Sequence, residues 1–195
     1  MKIFIDCGAN KGSDLDMFRI NYEDYKSWRM VAFEPNPQCR DYMLLNDKLD
    51  NVELIEKAVW IEDSTKTFNI GSNTKSSTLR SDKTTNMSNK NITVETIDLS
   101  NYISQFNEED YIILALDVEG AEYEVLEKML IEKTIDLVDE IFVEFHTHKM
   151  KNSKEDNLQA REDKITEQLI ENLGSDNVYI HEGHNAKKFK TLVKT

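Results

Sequence analysis

The chain has 195 residues, of which 39% are hydrophobic, 9% aromatic and 31% charged. This composition is rich enough in apolar side chains for a folded core, and the length suits one domain covering residues 1–195. Asp and Glu together number 37 against 24 Lys and Arg, which gives a formal net charge of -13. Because nucleic-acid binding depends on basic residues that neutralise phosphates, we expect no nucleic-acid partner.

The start of the chain resembles neither a signal peptide nor a membrane anchor. A short apolar segment runs directly into a turn. The longest apolar run, Tyr111–Leu116, is far shorter than the roughly 18 residues that a membrane span needs. Cys7 and Cys39 form no disulfide or metal-binding pattern. The sequence therefore predicts a reduced, cytoplasmic protein with no membrane partner, and it leaves the oligomeric state open.

Strands and helices are predicted to alternate in the first half of the chain. The hydrophobic pattern predicts a strand at 2–6, a helix at 13–22, a strand at 29–34, a helix at 37–47 and a strand at 52–59. Residues 61–91 are rich in Ser, Thr, Asn and Lys, and only 67–70 and 92–94 have strand character. Residues 71–91 are predicted to form a mobile loop, which we hypothesise to close over a bound ligand.

The same alternation continues in the second half. The predicted elements are a helix at 99–106, a strand at 111–118, a helix at 121–133, a strand at 140–146, a helix at 162–172 and a hairpin of 178–181 with 189–193. Residues 111–118 are apolar on both faces, which is typical of a central strand in a parallel sheet. The sequence thus predicts an α/β fold with helices on both faces of a mostly parallel sheet.

The turn after the first strand is the first candidate for a binding site. It runs from Asp6 to Gly12, and ligands of such sheets bind at the carboxyl ends of the strands. Gly8 permits a sharp turn and a close approach, and Gly12 lets the following helix pack near the strand. The turn lacks the middle glycine of dinucleotide-binding sites, and the Asp6 carboxylate suits a cationic amine better than a pyrophosphate. An amino-acid-like ligand is therefore favoured over NAD.

Glu34 ends the second predicted strand and is followed at once by Pro35. It lies about 20 residues past the glycine turn, the offset at which an acid reaches a ribose diol. The alternative is that the glycines serve only the turn and that Glu34 is a surface acid. The combination of acid, glycine turn, strand and terminal glutamate favours a nucleoside-binding role.

Three blocks of the sequence stand out, namely FIDCGANKG at 4–12, AFEPNP at 32–37 and LDVEGAE at 116–122. Together they resemble the FkbM family of S-adenosylmethionine-dependent methyltransferases, and the last block is the most specific to that family. KAV at 57–59 and SSTL at 76–79 also fit the family pattern. The resemblance implies a Rossmann-like class I methyltransferase fold, with a seven-stranded sheet whose last strand is antiparallel.

The resemblance also implies a cofactor, S-adenosyl-L-methionine, and a set of residues that hold it. Glu34 would bind the ribose hydroxyls, and Ala58 and Val59 would border the adenine. The complete set of implied cofactor-binding residues is Asp6, Gly8, Ala9, Asn10, Gly12, Glu34, Pro35, Asn36, Ala58, Val59, Ser77 and Asp117.

Transfer of a methyl group to a hydroxyl requires a group that takes the hydroxyl proton. Candidates lie at the carboxyl ends of the strands at 111–118 and 140–146, and we predict Asp117, Glu119 and His146 as catalytic residues. His146 is the best general base by its ordinary pKa, and Asp117 is expected between cofactor and acceptor. The alternative to a functional role for Glu119 is that it only caps the helix at 121–133, and the alternative for Glu144 is that it is a structural acid.

All four histidines, including His148, His181 and His184, are expected near one edge of the sheet, which leaves a Mg²⁺ or Mn²⁺ site open. We rank metal-free base catalysis above a metal and assign no metal ligand. The predicted function is an O-methyltransferase that acts on a hydroxyl of a sugar, a glycan or another small metabolite. The alternatives are an NAD-type oxidoreductase and a catalytically silent cofactor-binding module.

Overall fold

The computed structural model describes residues 1–181. In chain order its strands and α-helices are β1 (Lys2–Cys7), α1 (Ser13–Asn21), β2 (Arg29–Phe33), α2 (Pro37–Leu45), β3 (Val52–Ile55), β4 (Ala58–Trp60), β5 (Thr65–Gly71), β6 (Met87–Asp98), α3 (Leu99–Ile103), β7 (Tyr111–Leu116), α4 (Glu122–Ile131), β8 (Glu140–Glu144), α5 (Leu158–Leu173) and β9 (Val178–His181).

A parallel sheet of six strands forms the centre of the described chain. Its strand order is β3-β2-β1-β7-β8-β9, and every neighbouring pair is parallel. From β1 the chain adds strands first in one direction and later, from β7, in the other. The order therefore reverses between β1 and β7, where ligands of open α/β sheets bind.

Alternating side chains of the central strands fill two cores, one on each face of the sheet. In β1, Ile3 and Ile5 belong to one core and Phe4 belongs to the other. In β7, Leu114 and Ile113 divide in the same way. Helix α4 packs on the first face and helix α1 on the second, since their buried residues belong to these cores. Burial on both faces explains the continuous apolar run of β7.

The predicted strand at 52–59 is wrong as a single element. It divides into β3, which pairs with β2 in the main sheet, and β4, which pairs with β6 in a second sheet of order β4-β6-β5. Strand β5 runs antiparallel to β6. The short pieces predicted at 67–70 and 92–94 are thus the middles of longer strands. This second sheet carries Ala58 and Val59 to the edge of the predicted site.

Other differences concern the ends of elements. Strand β6 begins at Met87, inside the predicted loop at 71–91, and helix α5 begins at Leu158, earlier than the predicted 162. Leu158, Ile165 and Leu169 are buried along one face of α5, and the charged residues between them obscured its first turn. Within the described residues the main sheet has six strands, and the predicted antiparallel strand at 189–193 lies outside them. None of the described helices combines the length and the apolar character needed to span a membrane.

The turn after β1 packs directly against the turn after β7. The backbone N–H of Asp117 donates to the carbonyl of Cys7 at 3.0 Å, which continues the strand pairing by one residue. Gly8 has a φ of +89°, and a Cβ built on it would lie 2.0 Å from the Asp117 carbonyl oxygen. Only glycine allows the two turns to approach so closely.

We therefore predict that Gly8→Ala lowers the free energy of unfolding, measured by urea denaturation. The control is Gly174→Ala, since Gly174 has a φ of +84° but no atom within 4 Å of a built Cβ. Backbone strain affects both variants, and overpacking affects only Gly8→Ala. The loss for Gly8→Ala should exceed that for the control by about 1–3 kcal/mol. Equal losses would contradict the close packing of the two turns.

Candidate active site

A cavity of about 520 Å³ opens where the strand order reverses. Its floor is formed by the turns that follow β1, β2 and β7, and the second sheet and the segment after β5 form a side wall. Volumes of a few hundred Å³ are usual for sites that enclose a small molecule or cofactor.

Glu34 lies at one end of this cavity and is 5% exposed. Its two carboxylate oxygens each accept one backbone hydrogen bond at 2.7 Å, from Asn10 N–H and from Asn36 N–H. Burial raises the pKa of Glu34 to about 7, although these two donors act in the opposite direction. Each oxygen retains a lone pair, so the fixed carboxylate can still accept hydrogen bonds from a ligand.

The backbone N–H groups of the glycine turn are already bonded within the chain. Gly8 and Ala9 both donate to the Phe33 carbonyl, at 3.0 and 3.1 Å, and Gly12 donates to the Ala9 carbonyl at 2.7 Å. Asn10 donates to Glu34 as described above. The turn therefore offers few donors to a phosphate. Beside it lies the Glu34 carboxylate, whereas a dinucleotide site has free N–H groups there.

Apolar side chains line the wall of the cavity near Glu34. Ala58 and Val59 come from β4, Phe68 comes from β5, and Leu79 follows β5. Ala58 and Phe68 belong to a small core within the second sheet, against which Leu79 packs. A flat apolar ring is suited to this wall, whereas the opposite end of the cavity is acidic.

Asp117, Glu119 and Glu144 line the acidic end of the cavity. Together with Glu122, which is fully buried beneath them, we call them the acidic cluster. Its centre is His146, whose side chain is fully buried. His146 Nε2 lies 3.6 Å from Asp117 Oδ1, 3.4 Å from Glu119 Oε2 and 3.5 Å from Glu144 Oε1. Burial acts to lower the pKa of His146, but the surrounding carboxylates raise it well above its usual value.

Glu122 holds the turn before helix α4. Its carboxylate is fully buried and accepts from Val118 N–H at 3.0 Å and from Gly120 N–H at 2.8 Å. It also contacts His146 Nδ1 at 2.9 Å. Because a carboxylate only accepts, Nδ1 carries the hydrogen. Ala121 occupies the N-cap position of α4 and no side chain bonds there, so the structure shows no cap of this helix by Glu119, the alternative that the sequence offered.

Glu119 instead forms ion pairs with two lysines. Lys83 Nζ contacts Glu119 Oε2 and donates to the Ser76 carbonyl at 2.8 Å, and Lys149 Nζ lies 3.3 Å from the same Glu119 oxygen. Burial would raise the pKa of Glu119, but His146 and Lys83 lower it to about 2. Burial lowers the pKa of Lys83. The Lys83 pair attaches the segment after β5 to the turn after β7, and Thr78 Oγ1 adds a 2.7 Å hydrogen bond to the Glu119 carbonyl. Lys149 attaches the segment after β8 to the same turn.

Most of the residues predicted from the sequence line the cavity. They are Gly8, Ala9, Asn10, Glu34, Pro35, Ala58, Val59, Ser77, Asp117 and Glu119. Asp6, Gly12 and Asn36 do not belong to its lining, and Asn36 accepts from Gln38 N–H as the N-cap of α2. His146 is buried beneath the lining, behind Asp117 and Glu144.

Of the three histidines among residues 1–181, His146 and His181 come together as expected. His181 Nδ1 lies 3.8 Å from Glu144 Oε2, on the opposite side of that carboxylate from His146. His148 is exposed, and His184 lies outside the described residues.

A search against family models gives one further observation about this site. The model described as "Methyltransferase FkbM domain" matches residues 6–175, which include the glycine turn, Glu34 and the acidic cluster. The chain belongs to the FkbM methyltransferase family. No curated protein and no solved structure shows a significant match to it. The resemblance seen in the three sequence blocks is thereby confirmed.

Several residues of this FkbM site were not predicted. Glu122, Lys83 and Lys149 complete the acidic end, and Phe68 and Leu79 complete the apolar wall. Glu122 could have been found, because an acid at the start of a helix that follows a glycine is well placed to accept backbone hydrogen bonds. The lysines and the wall residues come from elements distant in sequence and carry no local signal.

The raised pKa of Glu34 predicts a pH-dependent stability of the FkbM domain. The carboxyl titrates near 4.5 in the unfolded chain and near 7 in the folded one, so its stabilising effect is complete below pH 4.5 and is lost as the pH rises to about 7. Relative to Glu34→Gln, the wild type should lose about 3 kcal/mol of unfolding free energy across that interval. Urea denaturation at each pH measures the difference.

The matched control for this experiment is Glu53→Gln. Glu53 is a half-exposed acid on β3, paired with Arg29 at the surface. Its variant should follow the wild-type pH profile. A constant difference between wild type and Glu34→Gln at all pH values would contradict the buried, titrating carboxyl.

Proposed function

We propose that this FkbM methyltransferase uses S-adenosyl-L-methionine and transfers its methyl group to a hydroxyl of a sugar, a glycan or another small metabolite. The observation that carries the proposal is the fixed Glu34 carboxylate in the cavity, with a second, acidic end across the same cavity. The proposal rests on the family for the reaction class and on the site chemistry for the cofactor.

The chemistry of the lining residues fits this cofactor. Glu34 can accept hydrogen bonds from two ribose hydroxyls, and the wall that contains Val59 and Phe68 suits an adenine ring. Asp117 and Glu119 at the acidic end favour the positive charges of an amino-acid ammonium and a sulfonium. When bound, S-adenosylmethionine supplies an electrophilic methyl group on a positively charged sulfur.

The same features argue against an NAD-type oxidoreductase. A pyrophosphate needs donors at the turn after β1, but the N–H groups of Gly8, Ala9 and Gly12 already bond to backbone carbonyls. The backbone N–H of Asn10 already donates to the Glu34 carboxylate, so it is not available to a pyrophosphate either. The site also has an acidic rather than a basic charge near the turn after β7.

In the proposed reaction, the chain's residues position the acceptor and remove its proton. Asp117 lines the cavity at the end of β7 and is our candidate for the group that accepts the hydroxyl proton. Glu119 lies beside it, held by Lys83 and Lys149. His146 lies behind both carboxylates and does not line the cavity, so we assign it a positioning role rather than the general-base role predicted from sequence. Orientation of acceptor and methyl supplies much of the rate acceleration in such displacements.

The compartment and partners remain predictions. Both Cys7 and Cys39 are free and buried. We expect a cytoplasmic enzyme with a small-molecule or glycan substrate and no nucleic-acid or membrane partner.

Cofactor binding tests the first part of the proposal. Isothermal titration calorimetry should detect binding of S-adenosylmethionine and no binding of NAD. Glu34→Ala should weaken cofactor binding at least about 10-fold, because hydrogen bonds to a charged group contribute about 1.5–3 kcal/mol each. Glu53→Ala is the control and should bind as the wild type does. Undiminished binding by Glu34→Ala would reject the assignment, and binding of NAD alone would favour the oxidoreductase.

Methyl transfer tests the second part. Incubation with methyl-labelled cofactor and a panel of glycans and small hydroxylated metabolites should label an acceptor. Asp117→Asn should still bind the cofactor but transfer the label about 100-fold or more slowly, the usual effect of losing a proton acceptor. Glu53→Gln serves again as the control. A wild-type rate for Asp117→Asn would remove Asp117 from the mechanism, and cofactor binding without any transfer would favour a silent binding module.

A further inference from the structure

Both ring nitrogens of His146 face carboxylates. The imidazole is fully buried, and its Nδ1 lies 2.9 Å from Glu122 Oε1. Its Nε2 lies 3.6 Å from Asp117 Oδ1, 3.4 Å from Glu119 Oε2 and 3.5 Å from Glu144 Oε1. These acids come from the turn after β7, from helix α4 and from strand β8. One ring therefore lies among carboxylates from three separate parts of the chain.

The contact with Glu122 places a hydrogen on Nδ1. Glu122 Oε1 also accepts from Val118 N–H at 3.0 Å, and its Oε2 accepts from Gly120 N–H at 2.8 Å. Both oxygens thus act as acceptors toward the chain. Because an ionised carboxylate has no hydrogen to donate, the hydrogen in the contact with His146 belongs to the ring.

The surroundings of Nε2 favour a second hydrogen on the ring. Without it, the Nε2 lone pair would face three carboxylate oxygens, which repel it. The Glu119 oxygen nearest to Nε2 also contacts Lys83 Nζ and lies 3.3 Å from Lys149 Nζ, so it is negatively charged. A hydrogen on Nε2 makes these contacts attractive. Nε2 forms no close, directional hydrogen bond within residues 1–181, so the three oxygens share its charge as ion pairs.

The other charged groups near the ring lie on the outer side of the acids. Lys83 and Lys149 approach Glu119 from the segments after β5 and after β8. On β9, His181 lies 3.8 Å from Glu144 Oε2, whereas His146 faces Glu144 Oε1. Burial acts to lower the pKa of His146, but Glu122 and the other carboxylates raise it well above its usual value. The pKa shift therefore agrees with the geometry.

We propose that His146 is an imidazolium throughout the neutral pH range, and that its charge keeps Asp117 and Glu144 ionised at the acidic end of the cavity. Glu122 fixes the orientation of the ring through Nδ1. His146 does not line the cavity, so it is a positioning residue that acts through the two carboxylates above it.

This inference deepens the proposed function and rests on it for the role of the charge. Carboxylates that are gathered around one point raise the pKa values of one another, and burial adds to the effect. A protonated Asp117 could neither take the proton of an acceptor hydroxyl nor attract a sulfonium. The charge of His146 opposes that protonation. A ring that already holds two protons cannot itself act as the general base.

The first experiment observes the protonation of His146 by nuclear magnetic resonance of the full chain labelled with isotopic histidine. The sample is treated with a chelator, because a metal ion on Nε2 would displace its proton. Both ring nitrogens of His146 should have the chemical shifts of protonated nitrogens from about pH 6 to about pH 8, although an ordinary histidine loses a proton near pH 6.5. Free histidine in the same sample is the comparison. An unprotonated Nε2 at neutral pH would overturn the inference, and no variant has to fold for this test.

The second experiment measures the affinity for S-adenosylmethionine by calorimetry from about pH 5 to about pH 8. In His146→Gln the carboxylates lose a shared cation and their pKa values rise. Affinity should therefore fall with decreasing pH at least about one pH unit earlier than in the wild type, which corresponds to about 10-fold weaker binding at a given acidic pH. Glu34 is present in both proteins, so its own titration cancels in the comparison.

The matched control is His148→Gln, since His148 is an exposed histidine two residues further along the chain. This variant should keep the wild-type pH profile. A loss of affinity in His146→Gln that is equal at every pH would indicate a merely structural role and would overturn the proposal.

The two measurements separate this inference from the proposed function. A doubly protonated His146 in a protein that binds no S-adenosylmethionine would refute only the proposed function. Cofactor binding by a protein in which His146 is neutral would refute only the inference about the imidazolium.

Discussion

The close packing of the β1 and β7 turns is the constraint on which the rest of the site depends. These neighbouring parallel strands end at the same level, and Gly8 lets the Asp117 backbone approach to a distance that no side chain would permit. One turn then places Asn10 beside Glu34, and the other directs Asp117 and Glu119 into the cavity. The two chemically different ends of the site are thereby held in one rigid frame.

Buried carboxylates of opposite character occupy those two ends. Glu34 accepts its two hydrogen bonds from neutral backbone donors, and burial outweighs them and the nearby Arg40, so its pKa is raised. Glu119 lies among cations, and its pKa is lowered to about 2 despite burial. The first carboxylate suits recognition of neutral hydroxyls, and the second maintains a permanent negative charge. Environment rather than residue type therefore separates the two functions.

The sequence predicted the kind and order of the elements better than their sheet membership. The sequence predicted a single strand over residues 52–59, yet β3 joins β2 and β4 joins β6. Hydrophobic periodicity reports which side chains are buried, but the partner strand is fixed by contacts between distant segments. The same limit applies to residues 71–91, where β6 already begins at Met87 because β5 provides a pairing edge.

The sequence by itself determined the features that depend on short stretches of chain. The glycine turn, the acid that ends β2 before a proline, and the strand that delivers Asp117 each follow from local geometry and from one hydrophobic run. Only the tertiary structure decided that Lys83 and Lys149 meet Glu119, and that His146 lies buried behind the acids instead of facing the acceptor. Such contacts join elements that are far apart in sequence, and no local pattern of residues encodes the distances between them.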